Sequence, residues 1–356
     1  MPVRAAAALF VACVASVAAS CARESTRPGG GVRIFVTNEV SGDLSVVDPA
    51  SQRVIGTVPL GKRPRGIKVS PDKHSLYIAL SGSPIAGPGV DRDALPPADR
   101  AADGIGEVDA STYKLRRIIH AGVDPEQLDV SADGARMFVA NEDTAQVSVV
   151  DLISGAIVGT AAVGSEPEGV TIQPDGKAVY VTSEGDGDVA VIDTSTFKVL
   201  KRIPVGHRPR SVGFLPDGSR AYVTLENDGA LAIIDTARLE TVGVVRLGDP
   251  AASPRPRPMG IAVRADGSTL YVTTGSFGSL FFIDPASNAV VGTLGVGQRP
   301  WGIAQSPDGK MLYTANGPSN DLSVIDAASR QVIKKIAVGQ RPWGVAVVDV
   351  ASSVPR

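Results

Sequence analysis

Residues 300–339 read PWGIAQSPDGKMLYTANGPSNDLSVIDAASRQVIKKIAVG, and this stretch parses into four short strands. The runs 302–305, 311–315, 322–326 and 331–338, here strands A to D, are apolar or β-branched and bounded by turn formers. Pro307-Asp308-Gly309 is a tight turn between A and B, where glycine takes a positive φ at no steric cost. Asp326 opens the C–D turn, where its carboxylate can accept backbone N–H groups.

The same unit recurs along the chain. An x-Pro-x-Gly element places prolines at 64, 125, 167, 209, 258, 300 and 342. An aspartate closing strand C recurs at 48, 109, 151, 193, 235, 284 and 326. Both series step by 61, 42, 42, 49, 42 and 42, which means seven units of 42 residues with insertions of 19 and 7. Asp-Gly closes the A–B hairpin at Asp133, Asp175, Asp217, Asp266 and Asp308, and Lys73 replaces the glycine in the first unit. Four-stranded units of this length are the blades of a β-propeller. Short repeats also stack as linear solenoids, but the chain ends oppose that. Residues 33–38 match strand B and residues 343–348 match strand A, so the two ends complete a seventh blade and pair edges that would otherwise stay open. The expected fold is all-β: a seven-bladed propeller over 33–348, with an insertion near 81–106 and a tail at 349–356.

Composition agrees. Gly 39 and Pro 26 suit many turns, and a net charge of −2 gives no concentrated basic surface for nucleic acid. Residues 5–19 form an apolar stretch broken only by Ser16, too short to span a bilayer, where about 20 residues are needed. With Arg4 before it and Ala18-Ala19-Ser20-Cys21 after it, the stretch reads as a lipoprotein-type signal over 1–20. Cys21 would carry the lipid, and 21–32 would form a flexible tether. The expected location is the periplasmic side of a bacterial envelope, as a lipid-anchored monomer. Cys13 leaves with the signal, so the mature chain is expected to have no disulfide.

Loops joining D to A and B to C share one face, and both insertions fall there; variable loops on one face of a rigid ring commonly bind. The residues flanking each proline must surround that mouth: Arg63/Arg65, Asp124/Glu126, Glu166/Glu168, Arg208/Arg210, Arg257/Met259, Arg299/Trp301 and Arg341/Trp343. An acidic sector thus sits between basic ones, and both tryptophans fall on neighbouring blades. Strand B ends add Glu39, Glu142, Glu184, Glu226, Asn38, Asn141 and Asn316. Arginine forks grip carboxylates and indoles give rigid contact area. The expected ligand is therefore a small anion or a charged loop of a periplasmic protein. Contacts are expected from Arg63, Arg65, Glu126, Glu168, Arg208, Arg210, Arg299, Trp301, Arg341 and Trp343. The alternative is a closed charge ring in which Arg63 pairs with Asp124/Glu126 and Arg208 with Glu166/Glu168, capped by the tryptophans.

His74, His120 and His207 lie on different blades with no metal-site spacing, and His207 reads as a solvated loop residue. No C-x-x-C-H, G-x-S-x-G elbow or paired cysteines occur. Asp91-Arg92-Asp93 lacks the rest of a calcium loop. No cofactor or metal is expected.

Residues 35–38, 180–183, 222–225 and 271–274 (FVTN, YVTS, YVTL, YVTT) resemble the YVTN-repeat β-propellers over nearly the whole span 33–348. The mouth motifs RPRG, DPEQ, EPEG, RPRS, RPMG, RPWG and RPWG resemble a narrower group, the bacterial propellers associated with PQQ-dependent alcohol catabolism. That resemblance implies an accessory role beside periplasmic quinoprotein dehydrogenases. The function expected is non-enzymatic binding at the top face. The alternatives are a purely structural envelope protein, or a metal-dependent lactonase-like hydrolase with Glu39, Glu142 and Asn316 around the ion.

Overall fold

A computed structural model describes residues 31–85, 94–249, 251 and 253–350, together with Met1. Its seven sheets each hold four antiparallel strands, and nearly every strand lies where the repeat places it. The blade quoted above has strands Pro300–Gln305, Met311–Asn316, Asp321–Asp326 and Gln331–Ala337. The ring closes as expected. Strand Pro342–Val350 pairs antiparallel with Gly31–Asn38, and the latter pairs with Asp43–Asp48. Paired strand therefore extends two residues beyond 33–348 at either end. The signal, Cys21, the tether before residue 31, Asp91-Arg92-Asp93 and the tail after residue 350 lie outside the described residues.

The blades are glued by aromatic rings. Phe35, Tyr77, Phe138, Tyr180, Tyr222, Tyr271 and Tyr313 occupy one equivalent position on strand B in all seven blades, and all are buried. Sixteen aromatic side chains exist in the chain, so this single position takes seven of them. Each buried ring contributes about 1.5–3 kcal/mol through area removed from water. The clusters cross blade boundaries: Phe35, Leu44, Leu76, Ile78 and Val108 pack together although they come from neighbouring sheets.

Two features of x-Pro-x-Gly aim the mouth. The motif's glycine sits where a Cβ would strike the next blade's backbone, 2.6 Å from the Glu126 carbonyl at Gly66 and 2.2 Å from that of Arg210 at Gly169. Glycine suits this close approach, while Gln127 and Ser211 hold the position in two other blades. The threonine of YVT then reaches the same neighbour. Thr37 donates to the Arg65 carbonyl (2.7 Å), Thr182 to that of Arg210 (3.0 Å) and Thr273 to that of Trp301 (2.8 Å).

Candidate functional site

The residue after each proline opens the innermost strand, while the one before it sits in a left-handed turn. Arg63, Asp124, Glu166, Arg208, Arg299 and Arg341 have φ between 42° and 56°. Non-glycine residues adopt that region rarely, and sites under functional constraint are where such conformations gather. Arg257 departs from this series; it follows the 7-residue insertion.

The mouth holds a cavity of about 370 Å³. Of the expected contacts, Arg63, Arg65, Glu126, Arg208, Arg210, Arg299, Trp301, Arg341 and Trp343 line it; Glu168 lies below, on the axial channel. The ion pairs expected of a closed ring are shifted by two positions. Arg65, not Arg63, pairs with Asp124 (2.6 Å) and Glu126, and Arg210, not Arg208, pairs with Glu168. The reason is local: the post-proline side chain is the one carried on the innermost strand towards the neighbouring blade. Arg210 also meets Glu184 and Glu226, and Arg208 reaches the same two at 2.9 and 3.1 Å. Arg63 instead binds Glu39 at 2.9 Å and donates to the Ser83 carbonyl. Glu39 also takes Arg341, at 3.3 Å. Charge pairing thus fastens the blades without filling the mouth, so closed ring and open site coexist.

Trp301 and Trp343 stack at 5.2 Å with 21° between their planes, and both border the mouth cavity and the axial channel beneath it. They form a partition, with Trp343 only 7% exposed. Arg210 and Arg299 each lie 5.2 Å from the Trp301 ring centre. Cations over an indole face are attracted by the ring quadrupole.

Burial shifts the carboxyls of the acidic sector. Burial pushes the Glu126 carboxyl well above the usual carboxylate range; Arg65 opposes this, and Glu142 and Glu168 reinforce it. Glu126 hydrogen-bonds Glu142, whose side chain stays 20% exposed at the cavity. Burial likewise raises Glu168, which is hydrogen-bonded to Glu184. Like charges in a low-dielectric site raise a carboxyl in this way.

The insertion shapes one wall. Pro84, Ile85, Leu95, Pro96 and Pro97 line the cavity. Its base is fixed by Asp103, which accepts from the Gly82 (2.7 Å) and Asp124 (3.2 Å) amides, and by the Arg100–Asp143 ion pair. Nothing in the repeat signalled this apolar wall, because the insertion has no counterpart in other blades.

Glu39, Glu142 and Asn316 do not fit a divalent ion. Glu39 is held by two arginines, and Asn316 is buried with its amide donating to Asp321 (2.5 Å) and Ser323 (2.9 Å). Among the described residues no cluster of three or more His, Cys, Asp and Glu is placed to hold a metal. His207 is 83% exposed beside Asp228, as a solvated loop residue.

With this geometry in hand, the chain can be set beside known proteins. Two family models match: the choice-of-anchor I domain over residues 10–182, and the seven-bladed β-propeller lactonase over residues 170–335. Neither is the quinoprotein-associated group that the mouth motifs resemble. No curated protein matches. Similar solved structures include the Pseudomonas aeruginosa periplasmic gluconolactonase, at 22% identity and TM-score 0.73, covering 90% of this chain and 99% of that one. A putative 6-phosphogluconolactonase from Bacteroides uniformis is 18% identical with TM-score 0.70, covering 90% and 100%. Kuenenia stuttgartiensis hydrazine synthase is 22% identical with TM-score 0.70, covering 87% and 99%. These likenesses show the fold. The expectation of a non-enzymatic protein is nevertheless overturned. The finding against it is the lactonase model, which covers Arg208, Arg210, Arg299 and Trp301.

Proposed function

We propose that the protein hydrolyses a lactone in the mouth cavity, with Glu142 as general base. The observation that carries this is the Glu126–Glu142 pair: a buried carboxyl hydrogen-bonded to one that is 20% exposed at a cavity rimmed by guanidinium groups. The lactonase model match supports the reaction class.

Glu142 takes a proton from water as the water oxygen bonds to the lactone carbonyl carbon. The negative charge that develops on the carbonyl oxygen meets the positive field of the mouth arginines, an interaction that gains strength away from bulk water. The ring C–O bond then breaks, and the released hydroxyl takes the proton from Glu142. The acid leaves as its carboxylate and one proton passes to solvent. Glu126, locked by Arg65, holds Glu142 in place through their hydrogen bond. The Trp301–Trp343 partition offers a flat surface for the ring. The apolar stretch over 5–19, followed by Ser20-Cys21, supports an envelope location for the reaction.

The test is proton release from glucono-δ-lactone and other five- and six-membered lactones, measured against an enzyme-free control. Glu142→Gln, whose amide can keep the hydrogen bond to Glu126, should lower kcat by about 10²–10⁴-fold in a variant that circular dichroism shows folded. No turnover of any lactone, or turnover indifferent to Glu142→Gln, sinks the proposal.

A further inference from the structure

The apolar wall of the mouth is built onto the loop that carries the proposed base. Pro84, Ile85, Leu95, Pro96 and Pro97 line the cavity on the insertion's side, while most of the remaining lining is charged. Ile85 and Leu95 are half-buried, so part of their apolar surface stays uncovered at the cavity. The two arms of the insertion are drawn tightly together. The Asp99 amide donates to the Gly82 carbonyl at 2.9 Å, Lys62 pairs with Asp99 at 2.8 Å, and a Cβ at Gly82 would fall 1.7 Å from the Asp99 carbonyl oxygen. Arg63 donates to the Ser83 and Pro84 carbonyls at 2.8 and 3.3 Å. Arg100, at the far end of the wall, donates to the Ser83 hydroxyl oxygen at 3.0 Å and pairs with Asp143, the residue that follows Glu142. The wall thus stands at a fixed place beside Glu142. Three of its five residues are prolines, whose fixed φ leaves little freedom to lose when a ligand settles against it.

We infer that Ile85 and Leu95 determine specificity, and that the substrate is an uncharged lactone bearing an alkyl substituent that lies along this wall. The inference rests on the lactonase reading for the reaction, and on the wall alone for the substituent. A lactone carbonyl held at Glu142 leaves its ring carbons close to the element that Arg100 ties to Asp143, so a ring substituent has this wall to pack against. A methylene on that surface leaves water at no polar cost. A hydroxyl there would give up its water partners, because the five side chains offer neither donor nor acceptor. The wall therefore selects alkyl-substituted rings over polyhydroxylated ones. The insertion has no counterpart in the other blades, so this preference belongs to the mouth and not to the repeat.

The experiment is a kcat/KM series on unbranched γ-lactones from γ-valerolactone to γ-decalactone at pH 7, with glucono-δ-lactone alongside. Calorimetric binding of the ring-opened 4-hydroxyalkanoates to the purified protein gives a readout that needs no turnover. Both kcat/KM and affinity should rise about two- to fourfold for each added methylene until the wall is covered. The longer alkyl lactones should surpass glucono-δ-lactone. In Leu95→Ser the rise should flatten to less than about 1.5-fold per methylene, while Leu95→Met should keep it. Should Leu95→Ser not fold by circular dichroism, Ile85→Ser must show the same flattening. A flat series in the parent protein, or a slope that survives in the folded serine variant, overturns the inference. Glucono-δ-lactone turned over faster than every alkyl lactone would overturn it and leave the lactonase reading standing. Affinity that climbs with chain length and flattens in Leu95→Ser, without turnover of any lactone, would sink the lactonase reading and keep the wall as an alkyl-binding site.

Discussion

Arg210 is the side chain on which the propeller's charge balance turns, and removing it gives a measurable sum. It meets Glu168, Glu184 and Glu226, all with side chains nearly excluded from water. Arg210→Met keeps much of the volume and strands these carboxylates. Breaking a buried pair from one side costs about 3–5 kcal/mol, because a charge stays buried without its partner. Unfolding entropy near 2.1 cal/mol/K per residue gives about 0.67 kcal/mol/K over the 320 residues from 31 to 350. The expected drop in Tm is therefore about 4–8 °C at pH 8. The sign of its pH dependence follows from the carboxyls. Burial pushes Glu226 up, yet Arg210, Arg257 and Arg208 hold it below the usual range; without Arg210 it rises, joining Glu168 and Glu184. Raised folded-state values mean the folded variant binds more protons, so its stability is lost as pH rises. The deficit should grow from pH 5 to pH 8 by at most about 2 °C per pH unit for each proton held. Adding Glu226→Gln to the variant should restore part of the Tm at pH 8 and little at pH 5. Differential scanning fluorimetry in a matched buffer series reads all of this. A drop of the same size at both pH values would show that lost packing, not stranded charge, was the cause.

Two further expectations concern the partition and the opposite face. Trp343→Ala should lower the Tm more than Trp301→Ala, since Trp343 is the buried member of the stack; equal losses would mean that stacking alone is at stake. Asp193 accepts from the Ser195 and Thr196 side chains and backbone amides, which hold its carboxyl at about 2. A lowered value gives stability present above the unfolded value and lost as pH falls, so Asp193→Ala should destabilise at pH 7 and match the parent near pH 2. Chemical unfolding at both pH values checks it, and an equal difference at both contradicts it.

The ring was legible because a 42-residue repeat forces identical local decisions seven times. Asp-Gly turns, alternating strands and split end strands each pointed to the same architecture. The mouth's inventory was legible too, since topology alone carries every x-Pro-x-Gly element to one end. The pairing was not. Choosing Arg65 over Arg63 depends on a left-handed turn before each proline, a conformation that arginine gives no reason to expect. The raised carboxyls of Glu126 and Glu168 depend on burial that only the closed ring supplies. Of the alternative metal set Glu39, Glu142 and Asn316, Glu39 is engaged by two arginines and Asn316 by Asp321 and Ser323, which shared residence on one face does not reveal. The threonines of YVT were visible as a motif, while their grip on the neighbouring mouth residue needed coordinates.

The blade shared by the two chain ends has a consequence for how the molecule comes into being. Gly31 pairs with Val350, so the earliest and latest described strands lie side by side. During synthesis six blades can form while the first three strands wait without their innermost neighbour. The clasp waits for Pro342–Val350, which follows every other described strand in the chain. A chain truncated before that strand therefore yields a ring with a gap, whose bare strand edges mark it for aggregation or proteolysis. Closure of the ring reports that its first and last strands have met.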